Sequence, residues 1–176
     1  MSALGRHIIN LELFTDAYRV SGRTQVATGG LLSELNNPNT DFLELEEAYL
    51  SRIHEPGKII ASYSAASFRK SNINFVVLQD RRDGAIMGAA HGRSVYGRGR
   101  PLQVFLTTPS FEITGTVLHD GQTSPGTILV HTLGHFQPVF DAEASAALFP
   151  TITYKGDLIL VQKELVGIFC LDYHKD

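Results

Sequence analysis

The chain has 176 residues, of which 43% are hydrophobic and 19% are charged, and its formal net charge is -3. This composition is too apolar for a disordered protein and is typical of one or two globular domains. The single cysteine excludes an intrachain disulfide, and no apolar stretch has the length of a signal-peptide core or a membrane-spanning helix, so we expect a cytoplasmic protein without membrane contact.

The first two predicted elements are strands over residues 8–15 and 18–26. Leu11 and Leu13 fall on one face of the first strand, and apolar and polar residues alternate along the second. Because only two residues separate them, we expect the strands to form a hairpin. Gly22 lies in the middle of the second strand, where glycine is typical of a bulge or a sharp bend, and we assign it a structural role.

The rest of the first half predicts one short helix and three more strands. Residues 31–38 have apolar residues at helical spacing and end in Asn-Asn-Pro, which terminates a helix. A strand follows over 42–50. Residues 58–63 and 73–79 are predicted to close the unit as a hairpin-like pair.

Residues 81–100 have no hydrophobic periodicity and contain five glycines, which predicts a linker. The segment carries five arginines and one aspartate, so the linker contributes +4 and leaves -7 for the rest of the chain. Short Arg-Gly segments with an aromatic residue bind the nucleic-acid backbone in some proteins. The candidate nucleic-acid-binding residues are Arg81, Arg82, Arg93, Tyr96, Arg98 and Arg100.

Beyond the linker, the sequence resembles its own first half. Three blocks match in order at an offset of 93 or 94 residues: 11–23 with 104–116, 42–48 with 136–142, and 69–78 with 162–171. A regular offset over three blocks predicts an internal duplication, with one unit at 8–80 and the other at 101–173. A unit of this size buries only about 60% of its unfolded surface, so we expect the two units to pack on each other or the chain to oligomerise.

The second unit repeats the predicted strands, including the mid-strand glycine, now Gly115. Residues 127–134 correspond to the helix of the first unit, but their β-branched residues favour a strand. Residues 157–162 and 165–171 are again predicted to form a closing hairpin-like pair.

The remaining candidates for chemistry lie in the second unit. His119, His131 and His135 are the candidate metal ligands, although the β-branched neighbours argue against the helix that would place the last two on one face. Cys170 corresponds to Val77 of the first unit, which favours a buried core position over a reactive thiol. The sequence contains no recognised catalytic motif and predicts no cofactor, so an enzyme is the less favoured interpretation.

The predicted fold is therefore all-β with minor helix, as two tandem five-stranded units with strongly bent sheets packed as a pseudo-dimer. A bent second strand with a central glycine, within about five short strands and one short helix, resembles the Sm-like and related small β-barrels, and parts of the sequence resemble bacterial domains of uncharacterised function. The resemblance implies a barrel-like unit. The Sm signature aspartate and asparagine are absent, so no RNA-binding residue is carried over.

Three functions follow as hypotheses, and the lowest ranked is a small-molecule or metal-dependent activity of the second unit that uses His119, His131 and His135. The first is a non-enzymatic interaction or assembly module, with a second copy or another protein as partner, because small β units present exposed sheet edges. The alternative is a nucleic-acid-binding protein that uses the basic linker and one face of a β unit.

Overall fold

The computed structural model describes residues 5–85, 99–119, 124–132 and 134–172. Within these residues the chain forms ten strands and three short helices, so the predicted all-β class with minor helix is confirmed. In chain order the strands are β1 (His7–Phe14), β2 (Tyr18–Val26), β3 (Phe42–Arg52), β4 (Glu55–Arg69), β5 (Phe75–Leu78), β6 (Arg100–Thr108), β7 (Phe111–His119), β8 (Phe136–Ala146), β9 (Phe149–Gln162) and β10 (Ile168–Asp172). The helices are α1 (Gly30–Asn36), α2 (Arg81–Gly84) and α3 (Pro125–His131), and two 3-10 turns occupy Lys70–Asn72 and Lys163–Leu165. None of the described helices is long and apolar enough to cross a membrane.

All ten strands belong to one antiparallel sheet with the order β10-β6-β7-β8-β9-β5-β1-β2-β3-β4. We call β1–β5 the first half and β6–β10 the second half. The two halves meet where β5 pairs with β9, and we call this junction the seam. In the described part of the chain no ladder joins β4 to β5 or β9 to β10, so the sheet is open and the predicted barrels are not confirmed by strand pairing.

The predicted closing hairpins are wrong. β4 pairs with β3, whereas β5 pairs with β1 and β9. In the second half β9 pairs with β8 and β5, and β10 pairs with β6. The connections Lys70–Asn72 and Lys163–Leu165 are 3-10 turns, which advance the chain instead of reversing it as a hairpin turn does. Each turn therefore carries the chain to the far side of the first strand of its half.

The strand predicted over 127–134 is also wrong, because residues 125–131 form α3. Pro125 lies at the start of this helix, where its fixed backbone angle and missing N–H are compatible with helical geometry. Thr132 ends the helix and donates its backbone N–H to the carbonyl of Ile128 at 3.1 Å. The proline at the helix start thus outweighs the β-branched residues that follow it.

The register of the sheet shifts next to both mid-strand glycines. The β2–β3 register shifts between Ser21 and Arg23, around Gly22, and the β7–β8 register shifts between Thr114 and Thr116, around Gly115. A Cβ at Gly115 would lie 2.7 Å from a methyl of Val139 and 2.8 Å from the carbonyl oxygen of Phe140. The bend therefore brings the neighbouring strand so close that a side chain at this position would collide with it.

The buried side chains form two hydrophobic cores, one mainly from each half. The first core contains Leu13, Val20 and Leu45, and the second contains Leu106, Ile113 and Ala144. The strands of the seam contribute to both cores. Val76, Leu78, Leu158 and Leu160 point into the first core, and Phe75, Val77, Ile159 and Val161 point into the second. Because side chains alternate along a strand, β5 and β9 form a wall that both cores share.

Candidate functional site

The seam is a fully covered contact between the two halves. Four residue pairs align across it, with Phe75 opposite Val161 at one end and Leu78 opposite Leu158 at the other. None of the eight side chains is more than 1% exposed. Burial on both faces together with backbone pairing makes this the best-packed contact between the two halves.

An aromatic cluster fills the second-core side of the seam. The ring of Phe75 lies 4.5 Å from the ring of Phe14 and 4.9 Å from that of Phe111. Tyr154 lies 4.6 Å from Phe14, and its own face is covered by the guanidinium of Arg19 at 5.5 Å. Burial raises the pKa of Tyr154 above its ordinary value, so the phenol remains neutral beside this cation.

Polar side chains bridge the two halves around the same strands. The side-chain amide of Asn74 donates to the carbonyl of Pro109 at 2.8 Å, and the backbone N–H of His135 donates to Oδ1 of Asn36 at 2.9 Å. Arg81 binds both carboxylate oxygens of Asp157 at 2.5 to 3.0 Å, and this guanidinium holds the pKa of Asp157 below its usual value. The seam therefore combines apolar burial with directional polar contacts.

The two ends of the sheet are not covered in this way. In the described part of the chain β4 pairs only with β3 and β10 only with β6. Along β4, the side chains of Ile59 and Tyr63 are 61% and 64% exposed, and Ala65 and Ser67 are also exposed. On β10, Ile168 is 54% exposed. Among the described strands, each end therefore has no second neighbour and carries exposed apolar side chains, which is the form of surface that pairs with another strand.

Cys170 lies on one of these ends, and the prediction that it is buried is wrong. Its side chain is exposed, whereas Val77, its counterpart in the sequence comparison, is 1% exposed. The two positions have the same place in their strands, but β5 is covered by β9, whereas no described strand pairs with β10 on that side. The difference in burial reflects the missing neighbour strand.

Two lysines, which the sequence comparison aligns, attach the 3-10 turns to the preceding loops. Lys70 is 9% exposed and its Nζ donates to the carbonyl of Glu34 at 2.6 Å, the carbonyl of Asn37 at 3.2 Å and Oγ1 of Thr40 at 2.7 Å. Lys163 donates to the carbonyl of Thr132 at 2.9 Å. Burial lowers the pKa of Lys70 from its ordinary value, and its three acceptors compensate for that burial.

A cavity of about 270 Å³ lies beside the seam, between the end of α1, the turn after β4 and the start of β8. Most of the polar side chains that line it are engaged: Lys70 binds the α1 loop, and His135 Nδ1 contacts Glu164 Oε1 at 3.2 Å. Gln162 is 4% exposed and uses its amide N–H on the carbonyl of Ser71 at 3.2 Å. These polar side chains of the cavity are thus held by contacts within the protein, and only the one from Gln162 to Ser71 joins the two halves.

The candidate metal ligands are separated. The rings of His119 and His131 lie 6.5 Å apart in a stacked arrangement, whereas His135 lies beside Glu164. Within the described residues, no three histidine, cysteine or acidic side chains form a group that could hold a metal ion. The metal site stays a prediction that this geometry does not support.

The candidate nucleic-acid-binding residues are only partly described. Arg93, Tyr96 and Arg98 lie outside the described residues. Arg81 and Arg82 are bound to carboxylates: Arg81 to Asp157, as above, and Arg82 to Asp80, whose pKa it lowers to about 2. Arg100 begins β6 opposite His119. The nucleic-acid alternative therefore stays a prediction, and its two best-described arginines are engaged by the protein itself.

No sequence pattern predicted the uncovered edges of the sheet or the contacts of Lys70 and Lys163. The predicted pairs of 58–63 with 73–79 and of 157–162 with 165–171 would have given β4 and β10 a second neighbour. Because both pairs are wrong, the sequence analysis did not predict that these strands are the ends of the sheet. The lysines carried one usable signal, which was their recurrence at the same position in both halves. No family model matches this sequence, and neither the curated proteins nor the solved structures include a significant match.

Proposed function

We propose that this chain is a non-enzymatic interaction and assembly module made of two copies of one bent five-stranded unit. It binds protein partners, including further copies of itself, by adding strands to its two free sheet edges. The observation that carries this proposal is the contrast between the fully covered seam and the two uncovered ends of the same sheet.

The pairing register supports the two-copy unit. His7 pairs with Val26 in the first half, and Arg100 pairs with His119 in the second, so both partners of this terminal pair are offset by 93 residues. The strand order within the halves is also the same, as β5-β1-β2-β3-β4 and β10-β6-β7-β8-β9.

A backbone irregularity recurs at matching positions as well. Glu47 and Asp141, which the sequence comparison pairs, have positive φ angles of 52° and 46°, although neither is glycine. Positive φ is uncommon for a non-glycine residue and costs of the order of 1 kcal/mol, so its recurrence supports a common origin of the two halves.

The chemistry of the edges supports strand addition rather than catalysis. A bound strand would obtain backbone hydrogen bonds from the edge and would cover apolar side chains such as Ile59 and Ile168. Two titratable groups with altered pKa values are engaged by contacts within the fold, since Asp157 binds Arg81 and the ring of Tyr154 lies under the guanidinium of Arg19.

Size-exclusion chromatography with light scattering over a range of concentrations tests this proposal on the full chain. We expect a mass that rises with concentration, or coelution with a protein partner. Replacing Ala65 by lysine on β4, or Ile168 by lysine on β10, places a charge at an edge and should prevent association. Leu148→Lys is the matched control, because Leu148 is 84% exposed but lies in the turn between β8 and β9.

A protein that stays monomeric at every concentration and retains no partner in a pull-down would overturn the proposal. So would an equal loss of association in the Leu148 variant, since that result would show a general effect of added charge rather than an effect at the edges.

A further inference from the structure

The seam provides a pattern for the contact at the free ends. In the seam, the fifth strand of one half pairs with the fourth strand of the other half. The free ends of the sheet are the remaining fourth strand, β4, and the remaining fifth strand, β10. One chain therefore carries both complementary members of a second contact of the same kind, at opposite ends.

We propose that β10 of one chain pairs antiparallel with β4 of a second copy, in the register that the seam uses. In the seam Val77 lies opposite Ile159. The residue 93 positions after Val77 is Cys170 and the residue 93 positions before Ile159 is Ala66, so the same register places Cys170 opposite Ala66 of the second copy. The inference rests on the proposed function, because it names the partner for the same edges.

The burial pattern of the edge strands fits this register residue by residue. In β5, Val76 points into the core of its own half, and its counterpart Phe169 is packed against the second core. Phe75 points into the core of the other half, and its counterpart Ile168 is 54% exposed. The exposed residues of β10 are thus those whose counterparts in β5 point into the core of the other half.

β4 shows the complementary pattern. Ala66 and Phe68 pack against the first core, as their counterparts Ile159 and Val161 pack against the second. Ala65 and Ser67 are exposed, and their counterparts in β9, Leu158 and Leu160, are the residues that cross the seam. On both edges, the side chains that do not pack against a core of their own chain are therefore the ones that a second copy would cover.

An aromatic contact has a counterpart too. In the seam the rings of Phe75 and Phe111 lie 4.9 Å apart. Their counterparts are Ile168 and Tyr18, which are 54% and 41% exposed at opposite ends of the chain. The proposed contact brings Ile168 of one chain to Tyr18 of the next and covers both side chains.

The contact between chains should be weaker than the seam. Ala65 and Ser67 replace the two leucines of β9, and Gly167 stands where the seam has the amide of Asn74. Less apolar surface is buried and one bridging hydrogen bond is absent. We therefore expect reversible, concentration-dependent association. Because the two faces in contact differ, association continues head to tail and yields a closed ring or an open filament.

A disulfide tests the register, because Cys170 is the only cysteine of the chain. Directly opposed residues in antiparallel strands have Cα atoms about 4.5–5.5 Å apart, within the range that a disulfide spans. Full-length Ala66→Cys, oxidised mildly and run on a non-reducing gel, should form a ladder of linked chains that reducing agent removes. Ser62→Cys is the matched control, since Ser62 is exposed on the same strand four residues away, and we expect it to remain largely unlinked.

Two further proteins identify other geometries. Ala66→Cys combined with Cys170→Ser becomes linked only if two β4 edges pair, and the wild-type chain becomes linked only if two β10 edges pair. Three results overturn the register and the head-to-tail contact. They are linking in either of these two proteins, equal linking through residue 62, and no linking through residue 66. If light scattering still shows association in that case, the proposed assembly function survives. If the wild-type chain is strictly monomeric and binds no partner, both fail.

Discussion

Replacement of Lys70 by methionine is expected to destabilise the protein strongly, because this buried lysine donates to two backbone carbonyls and one hydroxyl. Its Nζ donates to the carbonyls of Glu34 and Asn37 at 2.6 and 3.2 Å and to the hydroxyl of Thr40 at 2.7 Å. A hydrogen bond to a charged group contributes about 1.5–3 kcal/mol. Burial of the ammonium, which lowers the pKa of Lys70, offsets part of this sum. We expect Lys70→Met to lower the free energy of unfolding by about 3 kcal/mol.

Lys163→Met is the matched control, because Lys163 has the same place in the second half and makes one contact among the described residues, to the carbonyl of Thr132 at 2.9 Å. We expect a loss of about 1 kcal/mol for this variant. Urea denaturation followed by circular dichroism measures both values. Equal losses, or a larger loss for Lys163→Met, would refute the assignment of the stability difference to the three contacts of Lys70.

Two other changes have outcomes that the structure predicts. Gly115→Ala should lower the free energy of unfolding more than Gly22→Ala, because an added Cβ would lie 2.7 Å from its nearest neighbour at Gly115 and 3.1 Å from it at Gly22. Gly57→Ala is the neutral control, since no atom lies within 4 Å of a Cβ at that position. The denaturant midpoints of the three variants test this order. Asp157 has a lowered pKa because of Arg81, so its contribution is present above its ordinary value of 3.8 and is lost as the pH falls through the lower folded value. Asp157→Asn should therefore lower the free energy of unfolding by about 1 kcal/mol at neutral pH and make it less dependent on pH below about 4. If the free energy of unfolding of this variant falls with pH below about 4 as steeply as that of the wild type, the assignment is wrong.

Short-range patterns in the sequence predicted most of the individual elements. Alternation located β1 and β2, and the Asn-Asn-Pro signal located the end of α1. The error in α3 is also local, because the prediction rested on the β-branched residues and did not consider Pro125, which favours a helix at its first position.

The order of the strands could not be predicted in the same way. β4 and β5 are neighbours in sequence with a short connection, and such strands usually pair. Here a three-residue 3-10 turn sends β5 to the far side of β1, and a strand from the other half covers it. Pairing between residues more than 80 positions apart, such as Val77 with Ile159, leaves no local pattern in the sequence.

Val77 and Cys170 have the same place in the two halves of the sheet but differ in burial. From sequence alone, a position that holds valine in one half and cysteine in the other is predicted to be buried in both. In the structure only Val77 is buried, because β9 covers it, while Cys170 is exposed at the end of the sheet. If the two halves are copies of one unit, the environment of Val77 is the one to which this position is suited. The exposure of Cys170 then indicates an unfilled neighbour position, and the strand with the matching unfilled edge is β4 of another copy.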